Sequence, residues 1–142
     1  MAKIPPGEPV RSVKDIDPIG LPDLQELKLA VLSKASTKPR TQTQLAHWWR
    51  GCVAVHRYKY DGMAYFPTHR QAGLLHSLYT NSTWRLDYYL KAIEATVKYW
   101  GDWKAHSHRP MPDSPDIVML WSDSATWYEW IIKNVSRDRD GA

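Results

Sequence analysis

Between Pro67 and Trp103 two apolar runs repeat at helical spacing, and only Thr80-Asn81-Ser82-Thr83 separates them. The first run, over roughly His69 to Tyr79, places Ala72, Leu75, Leu78 and Tyr79 on one side. The second, over roughly Trp84 to Trp103, does the same with Leu86, Tyr89, Leu90, Ile93, Val97 and Trp100. Two helices with so short a turn predict a helical hairpin or a helix-turn-helix reader, with the rest of the chain covering the pair. Thr68 is the expected N-cap of the first helix, Ser82 or Thr83 that of the second, and Asp87 favours the positive end of its dipole.

The flanking segments read as further helices. Pro22-Asp23 opens one with Leu24, Leu27 and Val31 on one face, ending near Ser33. After a polar linker from Ala35 to Arg40, Thr41 or Thr43 caps the chain's clearest period: Leu45, Trp48, Trp49, Cys52, Val53 and His56, with His47, Arg50 and Arg57 opposite. Gly51 and Gly73, both inside helical patterns, predict close approach of a neighbouring helix. Asp61-Gly62 between aromatic residues predicts a short β-hairpin near 57–66. Ser114-Pro115-Asp116 starts a short helix carrying Ile117, Val118, Leu120 and Trp121. A final amphipathic helix carries Trp127, Trp130, Ile131 and Val135. The expected fold is all-α, a compact bundle of about five or six helices. A flexible proline-rich arm spans 1–22, a single helical domain 23–136, and a polar tail 137–142.

Charge directs the functional reading. The net charge is +4, and it is unevenly spread. From Lys34 to Lys91 nine cations face two acids, Asp61 and Asp87, whereas from Gly101 onward seven acids outnumber five cations. A basic middle with an acidic end is the footprint of a polyanion binder. Arg50, Arg57, Lys59, Arg70, Arg85 and Lys91 are the expected phosphate contacts, with Tyr88 joining them at the start of the second central helix. Eight Trp and eight Tyr stand against one Phe, rings that combine a stacking face with a polar handle. Tyr58 and Tyr60, interleaved with Arg57 and Lys59, and Trp84 are the expected stacking residues.

Other classes find less support. Cys52 is the only cysteine, so the chain cannot bridge itself, which fits a reducing, cytoplasmic setting. The N-terminal stretch has no apolar run of signal-peptide type, and no segment is long and apolar enough to span a membrane. Cys52 and His56 share a stripe and His106 and His108 a loop, yet neither pair has the partners a metal site needs. The spacing joins no catalytic set, so neither enzymatic activity nor a cofactor is expected.

The expectation is therefore a small basic helical protein that binds DNA or RNA, as an accessory subunit of a replication or repair assembly of the phage or mobile-element kind. The alternative is a protein-binding adaptor or inhibitor using its Trp/Tyr-rich surface, with Trp121, Trp127 and Trp130 as the partner contacts.

Overall fold

The computed structural model describes residues 23–34, 37–61 and 65–141, and the side chains at 38, 58–61 and 136–141 fall outside that description. The arm expected over 1–22 lies outside the described residues. Within them the chain is mainly helical and has no strand, in the order α1 Leu24–Lys34, α2 Lys38–Asp61, α3 His69–Ser82, α4 Leu86–Lys98, α5 Trp100–His106, α6 Ile117–Ser122 and α7 Ser124–Gly141.

The central partnership differs from the one the sequence suggests. α2 packs against α1, α3 and α4, while α7 packs against α4, α5 and α6. α3 and α4 touch chiefly through long side chains: the Tyr89 hydroxyl donates to the Leu75 carbonyl at 2.6 Å, and the Tyr79 and Tyr89 rings lie 5.2 Å apart. They are neighbours in sequence without forming a closely packed hairpin. Trp48 on α2 explains why, since its indole donates to the Leu90 carbonyl of α4 at 2.8 Å and keeps α2 against α4.

The boundaries have local causes. Asp23 caps α1 by accepting from the Gln25 amide at 3.0 Å. α2 begins at Lys38, earlier than the expected linker end, because Pro39 falls in the first turn, where its missing N–H breaks no helical bond. Thr41 and Thr43 are therefore inside the helix; Thr43 donates to the Pro39 carbonyl at 3.1 Å. Thr68 caps α3 in a full capping box with Gln71. α3 continues through the predicted turn to Ser82, and Thr83 closes it in the left-handed region at φ 62° instead of capping α4. The expected helix from Trp84 to Trp103 breaks at Tyr99 into α4 and α5, turning α5 toward α7, where the Trp103 and Trp130 rings lie 5.7 Å apart. Asp116 rather than Ser114 caps α6, accepting from the Met119 amide at 3.0 Å.

The predicted hairpin is overturned at its first strand: Arg57–Asp61 completes α2, and no described residue is in a strand. Its turn at Gly62 lies outside the described residues. The last helix also runs further than expected, to Gly141 through the segment read as a tail.

Most of the tryptophan is core. Trp48, Trp49, Trp100, Trp103, Trp127 and Trp130 are all buried, together with Tyr89, Leu90, Ile93 and Val97 of α4. Three of the indoles are met internally: Trp48 by the Leu90 carbonyl, Trp127 by Thr96 Oγ1 at 2.8 Å and Trp100 by the Pro112 carbonyl at 2.8 Å, whereas the buried Trp103 Nε1 has no hydrogen-bond partner.

Candidate functional site

The buried side of α2 is the stripe of Thr41, Leu45, Trp48, Trp49 and Cys52. Opposite it, at helical spacing, come Arg40, Thr43, His47, Arg50, Ala54 and Arg57, the first four of them exposed. Three arginines thus emerge along one helix face, with about 15 Å of rise from Arg40 to Arg50 and about 10 Å from there to Arg57. The one acid of α2, Asp61, is its last residue, and its side chain falls outside the description.

Beside this face runs the extended segment 65–68. Pro67 is buried and anchors it, while Tyr65 is 85% exposed and Phe66 48%. Phe66 meets the His47 ring edge-on, with centroids 4.9 Å apart. Two hollows share Phe66 and Pro67. One, of about 200 Å³, has Trp49 and Val53 of α2 on one wall, Gln71 and Tyr65 at the rim, and 114–117 opposite. The other, of about 310 Å³, opens toward Pro39, Thr43 and His69.

The far wall of the first hollow is well anchored. Arg57 donates to the Asp113 carbonyl at 3.2 Å, the Trp100 indole holds Pro112, and Lys104 hydrogen-bonds the Asp113 carboxylate. That bond, with the ammonium charge behind it, holds the Asp113 carboxyl below its ordinary range.

The expected contact residues separate into groups. Arg50 and Arg57 share the α2 face, and Arg70 is exposed in the first turn of α3. Arg85 lies beyond the other end of α3, about 20 Å of helix away. Its side chain is 89% exposed and its Nε is 3.6 Å from Asp87 Oδ1. Lys91 is half-buried on α4. Lys59, Tyr58 and Tyr60 fall in the last turn of α2, where side chains are outside the description. Trp84 is packed among its own protein's rings, with Tyr88, Tyr128 and Trp127 centred 5.0, 5.4 and 5.7 Å away. Trp127 and Trp130 are buried in the core, and Trp121 packs partly against it, so two of the three expected partner contacts are inaccessible in the folded chain. The residues that reasoning from sequence did not select are Tyr65 and Phe66.

Cys52 is wholly buried, and burial, reinforced by the Glu94 charge, pushes its thiol well up. His56 turns instead to Glu94, Nε2 to Oε2 at 2.8 Å. Among the described residues no group of three or more His, Cys, Asp or Glu is placed to hold a metal ion. No described helix is long and apolar enough to cross a membrane.

Comparisons with protein-family models, curated proteins and solved structures gave no match.

Proposed function

We propose that the outer face of α2 binds nucleic acid through its phosphates. One observation carries the reading: Arg40, His47 and Arg50 stand exposed along a single helix face, and Arg57, whose guanidinium is held on the Asp113 carbonyl, continues the same row. Cations aligned this way neutralise successive phosphates and release their counterions, which makes binding fall steeply with salt. Arg70, exposed at the start of α3, extends the basic surface past the Tyr65–Phe66 segment. Arg85 and Lys91 lie elsewhere and take no part. The adaptor reading loses its anchors with the burial of Trp127 and Trp130.

The test is titration of a labelled oligonucleotide by fluorescence anisotropy across a salt series. Three phosphate contacts predict that log K falls against log salt with a slope of roughly −2 to −3. The Arg40→Glu/Arg50→Glu double variant should bind at least tenfold more weakly and with a shallower slope, while Arg85→Glu should bind as the parent does. The reading fails if nothing binds at low salt, or if Arg85→Glu is the damaging change.

A further inference from the structure

We infer that the nucleic acid held by this face is single-stranded, and that unpaired bases enter the two hollows on either side of Phe66. The inference rests on the phosphate-binding reading and adds to it the class of ligand.

Three features point to a strand with free bases. First, α1, α3 and α4 pack around α2, and its described exposed side chains after Pro39, namely Arg40, Thr43, His47 and Arg50, form one row. Such a row of outward cations can track a single sugar–phosphate backbone, as the grooves of single-strand binders do. Second, the most exposed aromatic ring among the described residues, Tyr65 at 85%, and the half-exposed Phe66 stand beside the cationic face. In a duplex the base faces are already stacked, whereas an unpaired base offers a π-face to any aromatic side chain. Third, the first hollow is small and ring-lined. At about 200 Å³ the one bordered by Trp49, Val53 and Phe66 lies below the roughly 300–1,000 Å³ of pockets for drug-sized ligands, and suits one flat ring. Gln71 and Ser114 give it a polar rim. The second hollow also borders Phe66, between Thr43 and His69, so two bases of one strand flank this ring while Arg40 and Arg50, about 15 Å apart along the helix, take separate phosphates of that strand.

The experiment measures binding of the full chain to three oligonucleotides of equal length: a single strand, the matching duplex, and an abasic strand with the same phosphates. The single strand should bind about tenfold or more tightly than either of the others. Tyr65→Ala should lower single-strand affinity by roughly tenfold and leave the abasic strand unchanged. Tyr65 is so exposed that this change leaves the core intact. Ser114→Trp, at an exposed site on the rim, fills the first hollow and should act in the same sense. If all three ligands bind equally and Arg50→Glu weakens all of them, phosphate binding stands and the single-strand inference is overturned. If none of them binds at low salt, both fall together.

Discussion

Thr96 shows how single polar atoms hold this core. Its hydroxyl donates to the Ala92 carbonyl at 2.8 Å and accepts from the Trp127 indole at 2.8 Å, with both side chains fully buried. Thr96→Val keeps the shape but strands the indole N–H, which costs about 1–3 kcal/mol. Urea denaturation should show that loss, with Thr96→Ser recovering most of it; equal midpoints for Val and Thr would disprove the role of the hydroxyl. The pair His56–Glu94 joins α2 to α4 at the edge of the same core. The hydrogen bond from His56 holds the Glu94 carboxyl below its ordinary 4.5; burial opposes this, and the charges of His56, Lys98 and Lys28 assist it. A carboxyl depressed in the folded state adds stability above its unfolded value and loses it as pH falls through the folded one. Melting temperature should therefore drop more steeply below pH 4.5 in the parent than in Glu94→Gln. Parallel curves would mean that this carboxyl contributes nothing to acid unfolding.

At the scale of elements, caps and periods were largely legible and junctions were not. Thr68 with Gln71 announces α3, and the Leu45-to-Cys52 stripe announces the buried side of α2, because capping and amphipathic spacing are local properties. His47, Arg50 and Arg57 on its outer face were legible for the same reason, whereas Arg40 reads as linker in the sequence and belongs to the helix. Tyr65 and Phe66 were hidden by Asp61-Gly62, whose turn chemistry suggested strands where α2 in fact continues to Asp61. The α3–α4 pairing was misjudged because a short connection fixes proximity, not packing, and Trp48 draws α4 to α2 instead. Thr83 marks that connection. A β-branched residue at φ 62° is strained. Thr83→Gly should raise stability by about 1 kcal/mol, read as a higher urea midpoint. Gly101, whose added Cβ would meet nothing within 4 Å, should likewise gain about 0.4–1 kcal/mol on change to Ala.

For the whole molecule, α7 closes the bundle. Trp127, Trp130, Ile131 and Val135 are buried from it, at roughly 1.5–3 kcal/mol per fully buried apolar side chain. Together they match most of the 5–15 kcal/mol that holds a typical domain folded. A chain ending at Ser122 should therefore lose cooperative unfolding and its near-ultraviolet circular dichroism, and a cooperative melt from it would contradict this. The aromatic census of the sequence raised the hope of a tryptophan binding surface, but bulky rings in a small bundle are first needed to fill it. That left the chain's only phenylalanine, Phe66, half outside and leaning on His47. Growing the protein on a fluorinated phenylalanine would place one magnetic label at this spot and nowhere else. A single fluorine resonance would then report directly on whatever settles beside that ring.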